Sequence, residues 1–475
     1  MLLKIKITNI NRKQINSFLT DIRVWILLFF IIRLIGITNA PLEIGHNWRQ
    51  SLTSMIARNF LEGNANLLYP KIDMAGNQTG IIGSEFPFYN YLIYLVSLVF
   101  GYAHWYGRLI NLIVSSTGIY FFYLLVSKIC NKQIAFNASI VLLSSIWFAF
   151  SRKIMPDTFS VSLVIIGLYY CYMYLSTGSF LKLFLFFIFA TLGMLCKIPA
   201  LSLIVVISIL FIVKEISIKR KLTVFMLTAI SLIIVSLWYF YWVPYLVKTY
   251  HFQLYFPKSL TEGFNEILPL LPKLFQKFYF DSLSSYFALA FFLAGLYFII
   301  RSNNLYLKTG LLVITFTFCI FILKTGTVFP LHNYYIIPFT PVMALIAGYG
   351  LSHFPAKFLY IPLILISIEG IANQQHDFFI KKSEIYKLTL ENLTSKIVDK
   401  NELIVINGDQ SPQEIYLAHR KGWTINNEKI NKEDLTHLKE SGAKYLIINK
   451  NSFSSPIGYY PKIYSDTNYD FYKLN

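Results

Sequence analysis

The chain has 475 residues, of which 55% are hydrophobic and only 14% charged, against about 25% charged in ordinary soluble domains. Its mean hydropathy is +0.53. So little polar surface excludes a water-soluble globule for most of this length and predicts a polytopic membrane protein. The net charge of +18, from 42 Lys and Arg against 24 Asp and Glu, fits cation-rich cytoplasmic loops and attraction to anionic headgroups. The basic residues are scattered between apolar segments and form no single patch, so nucleic acid is not the expected partner. Cys130, Cys171, Cys196 and Cys319 lie in or beside apolar segments without metal-ligand spacing, and read as small buried hydrophobes.

In chain order, residues 1–23 are polar and basic, with no small-residue cleavage site, and read as a cytoplasmic N-terminus. Val24–Ile37 is then a retained signal anchor. A bilayer core needs about 20 mostly apolar residues per helix. Twelve runs qualify: 24–39, 88–104, 106–127, 134–151, 156–176, 179–197, 199–214, 222–243, 283–300, 306–323, 334–352 and 357–374. Together they make a membrane module over 24–374, interrupted by two large polar loops, 40–86 and 244–282. Lys4, Lys6, Arg12, Lys13 and Arg23 place the N-terminus in the cytoplasm, and Lys214, Lys219, Arg220 and Lys221 do the same for their loop. Counting outward from these anchors puts both large loops and the tail outside. Between loop 40–86 and Asp157, however, lie three runs where an even number of crossings is required. One must be irregular, and 134–151, ending in Ser151-Arg152-Lys153, is the suspect. The expectation is eleven full spans in the cytoplasmic membrane.

The tail, 375–475, changes character. Leu403–Asn407, Trp423–Ile425 and Lys444–Asn449 read as strands, and Pro412–Arg420 and Lys432–Ser441 have helical spacing. Strands alternating with helices predict a small soluble α/β domain with a parallel sheet. The fold class is thus an all-α membrane protein carrying a small C-terminal α/β domain.

Ionisable residues beside spans are costly and so are functional candidates, and five segments bring them to the outer boundary. The stretch His46–Phe60 looks like an interfacial helix. In it Trp48 reads as an interfacial anchor, and Arg49 and Arg58 can hold a phosphate as forked donors. Glu85 precedes an apolar run, with Pro87 two residues on, and reads either as a carboxylate favoured at a helix start or as a general base. Asp157 follows Pro156 in the same way and reads as a helix cap or the second of a carboxylate pair. Lys197 sits between two apolar runs and either snorkels or contacts a lipid phosphate. His332, Tyr334 and Tyr335 stand at the end of a span, where they pack in an aromatic belt or bind sugar and phosphate.

In their order and spacing several segments carry a family likeness: "HNWRQSLTSMIARNF" from His46, "EFPFYNYL" from Glu85, "RLIN" at Arg108–Asn111, "MPDTFS" at Met155–Ser160, "CKIPAL" at Cys196–Leu201, "HNYYIIPFTP" at His332–Pro341 and "NGDQSPQEIYLAHRKGW" in the tail. The chain resembles bacterial membrane glycosyltransferases of the GT-C fold. The group in question is related to protein O-mannosyltransferases and to the aminoarabinose transferase of lipid A (glycosyltransferase family 39). That resemblance implies a GT-C-like module and inverting transfer of a hexose or pentose. The sugar passes from a polyprenyl-phosphate donor to an outer acceptor, which is a lipid, protein or glycan. It implies a carboxylate base and basic residues holding the donor phosphate; a divalent cation is the one cofactor such chemistry could use. Glu85 and Asp157 then take the base or sugar-positioning roles, with His46 a rival base. Arg49, Arg58, Lys197 and His332 take the phosphate, and Trp48, Tyr334 and Tyr335 the sugar or acceptor. Relatives carry an Asp in the first-loop helix, whereas here Ser51, Leu52 and Thr53 follow Gln50 and no Asp or Glu occurs from Ile44 to Leu61. A lipid-linked glycan flippase and a polysaccharide polymerase or ligase are the rival functions. The first needs ionisable groups along a path through the spans, and the second usually has its large loop late in the chain.

Overall fold

The structure, a computed structural model, describes residues 20–252 and 257–474; Lys4, Lys6, Arg12 and Lys13 lie outside the described residues. Helix α1, Ile22–Arg33, starts at Asp21, whose carboxylate accepts from the Arg23 N–H and so satisfies one free donor of the first turn. Then come α2, Asn47–Glu62; α3, Phe88–Phe100; α4, Tyr106–Ile129; α5, Lys132–Ser144; α6, Pro156–Thr177; and α7, Phe180–Cys196. Pro156 opens α6 in the first turn, where its missing N–H costs nothing.

Five uninterrupted helices are long and apolar enough to cross a membrane: α4, α6, α8 (Ile218–Tyr250), Leu305–Thr325 and Asn333–Leu351. A sixth candidate is the pair Leu260–Asp281 and Tyr286–Arg301, bent by 95°. The other apolar runs give shorter pieces, so the expected eleven full-length spans are not eleven unbroken helices. The run 199–214, for instance, is split into 3-10 and α turns after Pro199. The expected polar loop 244–282 is largely helical. A π turn over Leu237–Trp242 leads directly into Pro244, where an α-helical ladder would lose a donor, and α8 continues to Tyr250. Outward-facing Leu293, Ile300, Leu312 and Phe316 are each more than half exposed, as lipid-facing side chains of a multi-pass membrane protein should be.

Two of the three runs between loop 40–86 and Asp157 are short: α3, and the suspected run 134–151, whose helix α5 also has 13 residues. Both ends of α3 meet α2. At its start Asn90 Nδ2 donates to Thr53 O at 2.8 Å, and just past its end Tyr102 Oη donates to Ser54 O at 3.3 Å. Thirteen residues rise about 20 Å, short of a hydrocarbon core about 30 Å thick. The run 134–151 does break, at the extended Ser145, but its apolar side chains are buried in the bundle core. The ends of the longer helices sort into two faces. Asp157, Lys197 and the whole of α2 fall on one; Gly178 and Arg220 meet on the other.

The tail forms a five-stranded sheet in the order β2-β1-β3-β5-β4, where β1 is Leu403–Ile406, β2 Gly422–Thr424, β3 Ala443–Asn449, β4 Lys462–Ser465 and β5 Tyr469–Lys473. β1 pairs in parallel with β2 and β3, and the β4–β5 hairpin adds antiparallel to β3. The predicted parallel core is present; the edge hairpin is an addition, because Lys, Asp, Ser and Tyr alternate there without an apolar run. The first loop and the tail share one core. Leu52, Met55, Ile56 and Phe60 of α2 pack with Ile404, Ile406 and Ile415.

Candidate functional site

Four charged groups converge where α2, the Glu85 segment and the ends of α6 and α7 meet. Lys197 Nζ lies 2.8 Å from Glu85 Oε1 and 3.5 Å from Asp157 Oδ1, while Arg49 Nη2 pairs with the same Glu85 oxygen. Lys197 also stands over the rings of Tyr334 and Tyr335, at 5.5 and 5.9 Å. Asp157 is buried, and its Oδ2 has no hydrogen-bond partner among the described residues. Glu85 is different: its side chain is 24% exposed at a small pocket also lined by Arg49, Leu52, Thr53 and Asn90. Burial disfavours the Glu85 carboxylate, but Arg49 and then Lys197 outweigh it and hold its pKa at about 2.

This geometry is set by the loop before α6. Asn111 Nδ2 donates to three carbonyls, Phe150 O at 3.0 Å, Lys153 O at 2.9 Å and Met155 O at 3.1 Å. Gln50 Oε1 accepts from the Ile154 N–H at 3.1 Å. One amide from α4 and one from α2 therefore fix the turn that presents Asp157. On the other side, Trp238 Nε1 donates to Ser84 O at 3.0 Å and Tyr239 Oη to Leu195 O at 2.8 Å, fixing the approaches to Glu85 and Lys197.

The remaining candidates divide. His46 does not touch either carboxylate. Its Nε2 lies 2.8 Å from Asn333 Oδ1 and its ring packs on Phe150 and Tyr334. Burial, then the Lys153 charge, push its pKa down to about 4, so it is neutral at pH 7. His332 stacks on Tyr334 with centroids 5.4 Å apart, on the aromatic floor. Trp48 faces the tail, its Nε1 donating to Gln410 O at 2.8 Å. Arg58 lies away from the cluster. It pairs with Asp73 at 3.2 Å and covers the Tyr416 ring at 4.5 Å, because nine residues of helix turn it to the tail side of α2. Among the described residues no group of three or more His, Cys, Asp or Glu has metal-binding geometry.

A second charged cluster escaped the sequence reading. Glu43 is fully buried, paired with Arg108 and faced by Arg152 Nη1 at 3.5 Å and Lys153 Nζ at 3.9 Å, and it accepts from Gln50 Nε2 at 3.1 Å. Its signal was the "RLIN" segment, whose Arg108 and Asn111 are both buried polar groups near the start of a span.

Residues 84–241 match the family model of the dolichyl-phosphate-mannose-protein mannosyltransferases. ArnT from Cupriavidus metallidurans in the apo state superposes with a TM-score of 0.61 at 10% identity, over 96% of this chain and 98% of that one. The fold is GT-C, of the protein-mannosyltransferase and ArnT type. The same ArnT bound to undecaprenyl phosphate gives 0.60 at 11% identity, over 95% and 98%. The Archaeoglobus fulgidus oligosaccharyltransferase in complex with Zn and sulfate gives 0.60 at 13%, over 89% of this chain and 68% of that one. No curated protein matches the chain in sequence. In this GT-C frame the matched segment holds Glu85, Asp157 and Lys197, while Arg49 and the tyrosine floor come from outside it.

Proposed function

We propose that this GT-C protein is an inverting glycosyltransferase that moves a sugar from a polyprenyl-phosphate donor to an acceptor hydroxyl, on the extracytoplasmic side of the cytoplasmic membrane. The observation that carries the reading is one lysine shared by two carboxylates, one from the segment before α3 and one from α6, beside a small pocket at Glu85 and under the rings of Tyr334 and Tyr335. Phosphate-monoester leaving groups need little protonation if cations take up their charge. Arg49 and Lys197 are those cations, and the Tyr334–Tyr335 floor, with His332 stacked on it, is a face for the sugar ring. Asp157 Oδ2 is free to accept from a sugar hydroxyl, and Glu85, the more exposed carboxylate, takes the acceptor proton. The acceptor oxygen forms the new bond to C1 as the C1–O bond to phosphate breaks, releasing polyprenyl phosphate.

Glu85 at about pKa 2 is a poor base while both cations hold it. An arriving phosphate competes for Arg49 and Lys197, and as they shift to it the carboxylate regains basicity. Base activation is thereby coupled to donor binding. Neutral His46 supports Tyr334 and carries no proton in this scheme. The test is sugar transfer by protein reconstituted in lipid with a polyprenyl-phosphate sugar. Glu85→Gln and Asp157→Asn are each expected to lower turnover about 10²–10³-fold, the range for removing one group that stabilises developing charge; full activity in both would sink the assignment.

A further inference from the structure

The tail carries a second crevice that the transfer chemistry does not use. It opens at the carboxyl ends of the parallel strands, where β1 is flanked by β2 on one side and β3 on the other. Ligands of open α/β sheets bind at this switch point. The crevice has a volume of about 650 Å³, well inside the roughly 300–1,000 Å³ of a small-molecule site, so its size suits a ligand of more than one ring. Asparagines dominate the lining: Asn407, Asn426, Asn427, Asn449 and Asn451; no aliphatic side chain contributes.

Its floor is rigid. The Asn449 N–H donates to Asn407 Oδ1 at 2.6 Å, and Asn407 Nδ2 donates back to Asn449 O at 3.2 Å. Buried Glu414 accepts from Asn449 Nδ2 at 2.7 Å and from Tyr469 Oη at 3.1 Å. The rim, by contrast, is exposed: Asp409, Asn426, Glu428 and Asn451 all reach solvent. Charge narrows the ligand. Glu384, Asp409, Glu414 and Glu428 face the single Lys387, in a chain of net charge +18. Such a lining rejects phosphates and carboxylates, whereas carboxamides and carboxylates suit paired hydrogen bonds to hydroxyls and amines. Trp48, next to Arg49, donates to Gln410 O at 2.8 Å, and Gln413 Nε2 donates to Pro41 O at 3.2 Å, so the crevice loop is tied to the site helix.

We propose that this crevice binds the non-reacting rings of the acceptor, an uncharged or amine-bearing glycan, and so guides its reacting end toward Glu85. The word acceptor rests on the transferase reading; glycan binding does not. The full chain in nanodiscs would be titrated with trimers of N-acetylglucosamine, glucosamine and galacturonate, followed by saturation-transfer NMR. The first two are expected to bind and the anionic trimer to be rejected. The surface double variant Asp409→Ala/Asn451→Ala is expected to weaken binding at least about tenfold through lost hydrogen bonds, while Glu85→Gln leaves it unchanged. No binding of either favoured trimer, equal binding of the galacturonate trimer, or an unaltered affinity in the double variant would each overturn the proposal. Loss of transfer in Glu85→Gln with binding intact, or binding without any transfer activity, separates this inference from the transferase reading.

Discussion

Glu43 and Glu85 are both carboxylates ringed by cations, and only one of them belongs to the candidate site. Glu43 is sealed, with Arg108, Arg152 and Lys153 each at most 1% exposed around it. Glu85 keeps a quarter of its side chain at a pocket, and its neighbour Asp157 retains a free oxygen. Pairing is common to the two clusters; what differs is whether a third party can reach the ions. A sealed cluster can only hold the fold, whereas a cluster that a phosphate can enter can exchange partners.

The largest expected effect is on stability. Glu43→Gln leaves buried Arg108 and Arg152 without their carboxylate, while Lys153 keeps Asp377 at 3.3 Å, and should cost about 3–5 kcal/mol, read as a lower thermal midpoint in detergent, with turnover per folded molecule kept. Glu85→Gln should do the reverse, losing turnover as given above while the midpoint moves little. If both variants lost only stability, the distinction between the clusters would fail. A subtler effect is on pH. The Glu85 pKa of about 2 is depressed, so its contribution to stability is present above the unfolded value near 4.3 and lost as pH falls toward 2. Under the proposed exchange, in which donor phosphate draws the cations off Glu85, the acid limb of kcat should lie at higher pH than that of kcat/KM; coincident limbs would argue against exchange.

The smallest expected effect lies at the seam between the first loop and the tail. His419 bridges Glu391 and Glu62, each at 2.6 Å, and these partners raise its pKa. A raised imidazole stabilises the seam fully below about pH 6.5 and loses that contribution as pH rises through its folded value. Protection of the α2 amides, taken as exchange relative to its intrinsic base-catalysed rate, should therefore fall on going from pH 6 to alkaline pH, and His419→Ala should remove that fall.

Much of this was legible in the sequence, for a stated reason. Glu85, Asp157 and Lys197 each stand at the edge of an apolar run, and run boundaries decide which face a residue reaches. Arg58 misled because its partners, Asp73 and Tyr416, are set by how the tail folds over α2, and no local spacing encodes that. The Glu43 cluster was not legible because its partners arrive from α4 and from the turn before α6. The shortness of α3 was hidden because residues 101–104 extend an apolar run whose helix has already ended at Phe100. The β4–β5 hairpin has no apolar run to announce it.

The scattered origin of the charged cluster has a consequence for how such a protein can change over generations. Arg49 precedes the segment that matches the mannosyltransferase family, Tyr334 and Tyr335 follow it, and the carboxylates and Lys197 lie within it. No contiguous cassette therefore contains the whole candidate centre, and exchanging the matched stretch with a distant cousin would deliver the acids and Lys197 without Arg49 or their aromatic bed. Drift at Leu52 and Thr53 can retune the pocket, but the candidate centre can be inherited only whole.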